Sequence, residues 1–345
     1  MNPITIVGGG LAGLALGIGL RQRNVPVTVW EAGRYPRHRV CGEFISGRGL
    51  AALQHFELLE ALRNAGAVSA NSVAFASPQV QAPTRRLPSP ALCLSRFKMD
   101  ALLAGLFERL GGQLRTEARY SEDRAIPGVV CASGRRLKPV DGGWRWFGLK
   151  AHASNVSLAA DLEMHVAPGG YVGLCRLENG NVNVCGLFRR RTGKTQAEPQ
   201  SWQEMLRGIP GSLLHGRLNH ALFDTTSFSS VAGISLQPHH ASGLAECCIG
   251  DALTMIPPVT GNGMSMAFES ARLAAEPLAA YSRAEISWTE TRARTASACD
   301  LAFSRRLAWA KWLQWMLFLP ALQSGPGMFL LRSEWLWRIL FSRTR

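Results

Sequence analysis

Charged residues are scarce in this chain. Asp, Glu, Lys and Arg make up 18% of its 345 residues, below the roughly 25% of an average globular domain. Negatively charged residues are the rarer of the two: the chain has 38 Lys and Arg but 24 Asp and Glu, which gives a net charge of +14. This composition is typical of a chain that covers apolar surface with a ligand or a membrane and that favours anionic partners.

Patterns that would define other classes of protein are also missing. The eight cysteines contain no C-x-x-C pair, and the adjacent Cys247 and Cys248 have poor geometry for a bridge. The arginines form no stripe and zinc-finger spacing is absent, so we predict no nucleic-acid partner. His239-His240 has no partner at metal-ligand spacing, so we predict no metal.

The compartment is predicted from further absences. Met1 runs directly into an apolar strand, without the basic region and cleavage site of a secretory signal. No uninterrupted apolar run reaches about 18 residues, so no segment is expected to span a bilayer. Unpaired cysteines favour a reducing compartment. We predict a cytoplasmic protein, with contact at the inner face of the membrane as an added option.

A nucleotide-binding βαβ unit opens the chain. Apolar runs at 4–7 and 27–30 flank a helical pattern at 11–23. The residues between the first strand and the helix read Gly8-Gly9-Gly10-Leu11-Ala12-Gly13, which is G-x-G-x-x-G. In this fingerprint the first glycine makes the tight turn, the second lets N–H groups approach a pyrophosphate, and the third allows close packing. A purely structural glycine turn is the alternative.

Glu31 supports the nucleotide reading. It ends the second strand, where a carboxylate accepts hydrogen bonds from ribose hydroxyls. The structural alternative leaves this acid unexplained. An acid at this position disfavours a 2′-phosphate, so the sequence predicts FAD or NAD in place of NADP.

A second glycine-bearing element lies far along the chain. Gly250-Asp251-Ala252 follows an apolar strand, and a run ending in Gly261-Asn262-Gly263-Met264 precedes a helix of small residues at 265–275. Asp251 is placed to bind a ribityl hydroxyl, and the helix N-terminus to present N–H groups to a flavin. An NAD dehydrogenase needs no such element; an ordinary loop is the alternative.

Three segments resemble the group A flavoprotein monooxygenases, of the p-hydroxybenzoate hydroxylase type, and the geranylgeranyl reductases. They read GDALTMIPPVTGNGMSMAFESARLAA, CLSRFKMDALLAGLFERLGG and RYPRHRVCGEFIS. The resemblance covers roughly residues 1 to 285. It implies FAD, with Arg96 beside the flavin. Separately, we expect at least one of Arg37 and Arg39 to screen the FAD phosphates or the isoalloxazine ring. No residue stands in an attachment motif, so the FAD is predicted to be noncovalent, with NADH or NADPH as electron donor.

The chain departs from this family in two places. The usual alanine-aspartate-glycine run reads Ala132-Ser133-Gly134-Arg135. This loses a carboxylate associated with flavin and pyridine-nucleotide handling and puts the NAD(P)H step in doubt. The segment 111–129 is also short, so strands usual there are expected to be missing.

The predicted fold is α/β, with a discontinuous Rossmann-like FAD-binding domain at 1–71, 95–140 and 240–282. A mainly antiparallel β substrate domain is expected at 72–94 and 141–239, because four strand-like runs follow Trp144 and Asn179-Gly180 is a hairpin signal. Residues 283–345 are expected to be a helical C-terminal region. One continuous helix is predicted over 49–64.

Three residues are candidates for catalysis. Cys41, in the segment where the related reductases carry a cysteine-glycine pair, contacts flavin or substrate, or is a small buried residue. Glu43 is a functional acid or a carboxylate at a helix start. Tyr171 binds a phenolic substrate or packs in the core. Lys150 and His152 share one face of a strand, either in the cavity or in solvent.

The C-terminal region mixes aromatic and basic residues in the manner of interfacial helices. Its members are Trp309, Trp312, Trp315, Trp335, Trp337, Arg305, Arg306, Lys311, Arg332 and Arg338. Peripheral contact with an anionic membrane is one reading, and a helical cap over the substrate domain is the other.

Three functions remain open at this point. The first is a monooxygenase that hydroxylates a lipophilic phenolic or polyketide-type substrate with NAD(P)H and O2. The second is a flavin ene reductase acting on prenyl chains, like the geranylgeranyl reductases. The third is a flavin-binding scaffold without turnover. The residues do not separate hydroxylation from reduction.

Overall fold

The computed structural model describes residues 1–136, 138, 140–193, 201–319, 333 and 337. These residues form a parallel sheet of five strands and a mixed sheet of eight. The strands are β1 Ile4–Val7, β2 Val27–Trp30, β3 Phe44–Ile45, β4 Val68–Ala76, β5 Arg85–Cys93, β6 Gln113–Arg115, β7 Val129–Cys131, β8 Trp144–Ser154, β9 Leu162–Ala167, β10 Gly170–Arg176, β11 Val182–Arg191, β12 Leu222–Ala232 and β13 Cys247–Cys248. The helices are α1 Leu11–Arg21, α2 Arg48–His55, α3 Leu59–Asn64, α4 Arg96–Arg109, α5 Trp202–Arg207, α6 Leu213–Leu218, α7 Gly263–Ser282 and α8 Trp288–Leu317.

The parallel sheet has the strand order β13-β7-β1-β2-β6. Its strands are short, and all but one are mainly apolar, as expected for a parallel sheet buried on both faces. The exception is the edge strand β6, Gln113–Arg115, which is largely exposed. Helices α1, α4 and α7 cover one face in a cluster that includes Leu14, Phe107 and Phe268. Helix α8 packs near the other face through Cys299 and Phe303. The strands come from three separate stretches of chain, so the predicted discontinuous arrangement is confirmed.

The mixed sheet has the order β12-β8-β11-β10-β9-β4-β5-β3. Its pairs are antiparallel except for β4 and β9. One face packs against α5 and α6 through Val172, Val184 and Leu206. Because side chains alternate along a strand, Lys150, Tyr171 and their neighbours at every second position face the other way. This second face, here called the cavity face, looks toward the parallel sheet.

Two sequence predictions of local structure had different outcomes. The hairpin at Asn179-Gly180 is confirmed: both residues have positive φ, 60° and 75°, the geometry of a tight hairpin turn. The single helix over 49–64 was wrong. Residues 56–58 separate α2 from α3, and Glu57 has a φ of 59°, which is incompatible with a continuing helix. The exact domain boundaries stay a prediction.

Candidate flavin and substrate site

A cavity of about 1330 Å³ lies between the two sheets. Its wall brings together residues that the sequence analysis singled out from distant parts of the chain. Those on the wall are Gly8, Gly10, Ala12, Glu31, Arg37, Arg39, Cys41, Glu43, Arg96, Tyr171, Asp251, Gly261, Gly263 and Met264. Gly13 is not on the wall.

The glycines of the fingerprint have distinct roles. Gly8 has a φ of +115°, and a Cβ there would lie 2.3 Å from the carbonyl oxygen of Ala132. A Cβ on Gly13 would lie 2.0 Å from the carbonyl oxygen of Gly8, so this glycine serves close packing. Around Gly10 the opposite holds, because nothing lies within 4 Å of the position of a Cβ. That space opens at the N-terminus of α1, where free N–H groups bind phosphate.

Glu31 is held in place by four contacts. Its two oxygens accept from the backbone N–H groups of Gly9 at 3.0 Å and Gly33 at 2.8 Å. They also pair with Arg37 at 2.6 Å and Arg39 at 3.4 Å. A carboxylate has about four acceptor positions. A ribose hydroxyl would therefore take the place of one arginine contact.

Asp251 is a second acid on the wall. Burial raises the pKa of its carboxyl above the ordinary value, while Arg135 and Arg96 oppose the shift. It makes no hydrogen bond or ion pair with the part of the chain that the structure describes. On the wall of the same cavity, at the start of α7, a Cβ on Gly263 would meet nothing within 4 Å. An acceptor without a donor and an open helix N-terminus on one wall fit the ribityl hydroxyls and pyrimidine edge of a flavin.

The loop between β2 and β3 lines the cavity and carries Cys41 and Glu43. Glu43 is fully buried and has a φ of 60°. That conformation suits glycine and costs another residue about 1–3 kcal/mol, so the surroundings must hold it. Burial opposes ionisation, but bonds from His152 and Arg96 and the charge of Lys150 hold the pKa of Glu43 below its ordinary value. The predicted helix-start role is realised in part, because Glu43 accepts the backbone N–H of Arg96, the first residue of α4, at 2.9 Å.

Burial raises the pKa of the Cys41 thiol. A protonated thiol is a poor nucleophile, which favours a contact role for Cys41 over covalent chemistry. Arg96 shares this region of the cavity and makes two bonds to Asp100, at 2.7 and 2.9 Å. Asp100 also binds Arg39 at 3.1 Å.

Sequence reasoning missed Asp100, Tyr35 and His38. Asp100 lies four residues after Arg96 on one helix, a spacing that signals a side-chain pair and was available from the sequence. Tyr35 donates a hydrogen bond to the carbonyl oxygen of Gly9, a contact for which the sequence carries no signal. His38 contacts Lys150 across two elements, which only the fold could show.

The far end of the cavity is apolar. Tyr171 and Val259 meet the end of α8, which contributes Trp312, Leu313 and Met316 to the wall. The Tyr171 hydroxyl is buried and makes no well-formed hydrogen bond within the described residues, although the backbone of Val259 is a polar neighbour. Burial raises the pKa of Tyr171 well above its ordinary value. Both predicted roles, packing and substrate contact, are compatible with this position.

The departure from the alanine-aspartate-glycine run changes the charge of the wall. Ser133 and Arg135 line the cavity, so the segment that usually supplies a carboxylate supplies a guanidinium. Arg135 lies near the Val40 carbonyl oxygen at 3.4 Å and near enough to Asp251 to lower the pKa of that acid.

Among the described residues, Cys131, Glu246 and Cys248 offer ligand atoms within 4.8 Å of one another. Hydrogen bonds from Cys248 and Ser133 lower the pKa of Cys131 to about 5. Arg136 already contacts Glu246 at 2.9 Å and the Cys248 sulfur at 3.7 Å. A cation of the protein therefore occupies this group, and the prediction that no metal is bound stays a prediction.

The C-terminal residues divide between surface and core. Trp312 and Trp315 are 42% and 61% exposed. The expectation that Arg306 is part of a basic interface was wrong: it is buried and pairs with Glu269 at 2.6 Å. Trp337 is also buried, against Phe75. Trp335, Arg332 and Arg338 lie outside the described residues. No described helix has the length and hydropathy needed to cross a bilayer.

Comparisons with known proteins agree with this geometry. Residues 6–40 match the model of an NAD(P)-binding Rossmann-like domain. A menaquinone reductase of Mycobacterium tuberculosis is 24% identical over 319 residues, covering 80% of this chain and 76% of its own length. The structure is similar to that of a flavin-dependent brominase, with a TM-score of 0.76, 16% identity and coverage of 99% and 92% of the two chains. It is also similar to p-nitrophenol 4-monooxygenase from Pseudomonas putida DLL-E4, with a TM-score of 0.74, 15% identity and coverage of 100% and 98%.

The fold and the site define the class of this chain. It is an oxidoreductase, as its sequence relatives indicate, and it has the fold that flavin monooxygenases and flavin halogenases share. The predicted fold class, enzyme class and FAD cofactor are confirmed. The electron donor and the role of each site residue stay predictions.

Proposed function

We propose that this chain is a monooxygenase that inserts one oxygen atom of O2 into a lipophilic phenolic or polyketide-type ring, with NADH or NADPH as electron donor. The observation that carries the proposal is the continuity of the cavity, whose polar end is the flavin cradle and whose far end is apolar. Its 1330 Å³ exceeds the roughly 300–1,000 Å³ of a single small-molecule pocket, so the cofactor leaves room for a substrate.

Residues at the two ends of this cavity have different proposed roles, one set binding FAD and the other binding substrate. The α1 N-terminus, Glu31 and Asp251 would hold FAD, which when bound would supply the redox chemistry with oxygen. Phe44, Phe75 and Leu187 line the substrate part and would exclude water from the reacting ring. Glu43 and Tyr171 are polar groups on the wall that would orient a phenolic hydroxyl.

Reduction of a double bond in a prenyl chain is the second candidate. The similarity to a menaquinone reductase along 80% of the chain supports it. The position of Cys41-Gly42 on the cavity wall also matches the cysteine-glycine pair of the related reductases. Both candidates use FAD and a long apolar substrate.

Oxygen separates the two candidates. Purified holoenzyme with NADH or NADPH would be offered alkylphenols and prenyl lipids, with isotope-labelled O2. We expect substrate-dependent oxygen uptake and a product that carries one labelled oxygen atom. A saturated product without label, formed equally well without O2, would establish the reductase instead.

We also propose that the substrate enters from a membrane. Trp312 lines the cavity and is partly exposed, so the end of α8 lies both at the apolar end of the cavity and at the surface. The neighbouring Trp315 is exposed, and exposed tryptophans favour the headgroup level of a bilayer. Arg305 and Lys311 are exposed on the same helix and would favour anionic lipid.

A further inference from the structure

Two cysteines lie side by side where the edge strand of the parallel sheet meets its neighbour. Cys131 ends β7, Cys248 ends β13, and the two are direct register partners in a parallel pair. Their sulfur atoms lie within 4.8 Å of each other, and both are free thiols. Neighbouring strands are roughly 4.7–4.9 Å apart, within the roughly 4.4–6.8 Å that separates the Cα atoms of a disulfide. The fold therefore holds these two thiols at bridging distance.

Cations and a hydroxyl group surround the two sulfur atoms. A guanidinium nitrogen of Arg124 lies 4.0 Å from Sγ of Cys131, and one of Arg136 lies 3.7 Å from Sγ of Cys248. The hydroxyl oxygen of Ser133 lies 3.4 Å from Sγ of Cys131. Nearby cations and hydrogen-bond donors favour the thiolate, which is the nucleophilic form of cysteine.

The two sulfur atoms differ in their protonation. Hydrogen bonds from Cys248 and Ser133 outweigh burial and lower the pKa of Cys131 to about 5, so Cys131 is a thiolate at neutral pH. The contact with Cys131 and burial raise the pKa of Cys248 well above its ordinary value, so Cys248 keeps its proton. A thiolate beside a protonated thiol is the arrangement of a nucleophilic cysteine and its resolving cysteine.

The pair lies just below the surface, although both cysteines are buried. Arg136 and Glu246 each lie 3.7 Å from the Cys248 sulfur, and their side chains are 50% and 27% exposed. On the other side, Ser133 contacts the Cys131 sulfur, is exposed and lines the cavity. A molecule as small as hydrogen peroxide therefore reaches the sulfur atoms once an exposed side chain swings aside.

We propose that Cys131 and Cys248 are a redox modification site, at which a hydroperoxide oxidises the two cysteines to a disulfide. The thiolate of Cys131 attacks one peroxide oxygen. The O–O bond breaks, an S–O bond forms, and the hydroxide that leaves takes up a proton and becomes water. The sulfur of Cys248 then attacks the sulfenic acid on Cys131. The S–S bond forms, the S–O bond breaks, and the departing hydroxide takes the Cys248 proton as the second water. Two electrons pass from the two sulfur atoms to the peroxide, and a reducing thiol reverses the change.

The disulfide would join the two strands that lead into the cofactor end of the cavity. Ala132, directly after Cys131, and Asp251, shortly after Cys248, both line the cavity. The backbone N–H of Ile249 already donates to the carbonyl oxygen of Cys131 at 3.0 Å. The site is thus part of the scaffold behind the cavity wall, and the proposal holds whichever reaction the chain catalyses.

Other cysteines of the chain provide internal controls. Cys93 and Cys175 are also close enough to hydrogen-bond, but burial raises the pKa of Cys175 well above its ordinary value. Cys247, beside Cys248 in the chain, packs in the other hydrophobic cluster, and burial raises its pKa to about 12. Neither Cys175 nor Cys247 is the thiolate that the first step requires.

Peptide mapping of oxidised holoenzyme tests the site. Purified holoenzyme is treated with hydrogen peroxide at neutral pH, without NAD(P)H, and its free thiols are then counted and alkylated in denaturant. We expect the protein to lose two of its eight free thiols, with a Cys131–Cys248 bridge in the map, and dithiothreitol to restore both. Cys247→Ser is the matched control and should form the same bridge. Thiols that stay free in wild type, or a bridge at Cys93–Cys175 in its place, overturn the proposal.

Serine variants of the pair test the order of the two steps. Cys248→Ser lacks the resolving thiol, so Cys131 should stop at the sulfenic acid, which dimedone labels. Cys131→Ser lacks the nucleophile, so its Cys248 should take up no dimedone. Label on Cys248 and none on Cys131 contradicts the assigned roles. Flavin content reports on the folding of each variant, and the wild-type map decides whether the bridge exists even if a serine variant does not fold.

Discussion

A Cβ atom on Gly8 would lie 2.3 Å from the carbonyl oxygen of Ala132. The first turn of the fingerprint is thus pressed against the end of β7, the neighbour of β1 in the parallel sheet. The space around Gly10, two residues further on, is open. Gly8 is therefore required by the packing of the fold, whereas Gly10 leaves space for the ligand.

Gly8→Ala should destabilise the fold itself. The new methyl group meets backbone atoms that cannot rotate away, and the φ of +115° is strained for any residue with a Cβ. We expect a loss of about 3 kcal/mol or more in the free energy of unfolding. Denaturant unfolding of the apoprotein measures it. A midpoint equal to that of wild type would show that the backbone shifts to admit the methyl group.

Gly10→Val should have the opposite profile. The side chain enters open space, so the apoprotein should fold with nearly wild-type stability, while the valine occupies the place of the pyrophosphate. We expect purified Gly10→Val to be colourless. Flavin released on denaturation is the measurement, and the unfolding midpoint of the apoprotein is the control. A full complement of FAD in this variant would contradict the fingerprint assignment.

Asp251→Asn should weaken FAD binding and stabilise the apoprotein. Loss of a charged acceptor for a hydroxyl costs about 1.5–3 kcal/mol, or roughly ten- to a hundredfold in affinity. Because burial raises the pKa of Asp251 in the folded apoprotein, this acid lowers stability as the pH rises through its folded pKa. The asparagine variant does not ionise, so its apoprotein does not lose stability in this way.

Two measurements check the Asp251 prediction. FAD titration gives the dissociation constant, and thermal unfolding of both apoproteins is compared at acidic and neutral pH. The stability difference should be small at acidic pH and should favour the variant at neutral pH. An unchanged dissociation constant would remove Asp251 from the cofactor site.

Replacing Trp309, Trp312 and Trp315 by Ser should reduce binding to lipid vesicles. Their rings would supply a salt-insensitive part of the affinity. Arg305 and Lys311 would add about 1 kcal/mol each on anionic vesicles, a part that salt weakens. Cosedimentation with anionic and neutral vesicles at two salt concentrations measures both parts.

Controls distinguish membrane binding by this region from a helical cap that packs against the substrate domain without contacting lipid. FAD content should stay normal in the tryptophan variant, and Leu222→Ser, at another exposed apolar residue, should bind vesicles as wild type does. If wild type shows no vesicle binding at any salt and the triple variant instead loses thermal stability, the region is a helical cap.

Local chemistry determined much of this protein from sequence alone. The nucleotide-binding residues were predicted from the fingerprint at Gly8 to Gly13, the acid at Glu31 and the Asp251 segment. A glycine fingerprint followed by a carboxylate at the end of the next strand is typical of dinucleotide binding. The hairpin at Asn179-Gly180 followed from backbone preference. The break between α2 and α3 was not visible, because the residues around Glu57 do not disfavour a helix as glycine or proline would.

The tertiary structure decided what meets across the cavity. Glu43, Lys150 and His38 come from two segments more than a hundred residues apart, and only the placement of β8 beside the loop joins them. The same is true of Arg306, whose sequence neighbours suggest a lipid surface and whose partner, Glu269, lies inside on α7. Periodicity shows which residues share a face of one element. Which element covers that face depends on packing between distant segments, and a single sequence does not encode that locally.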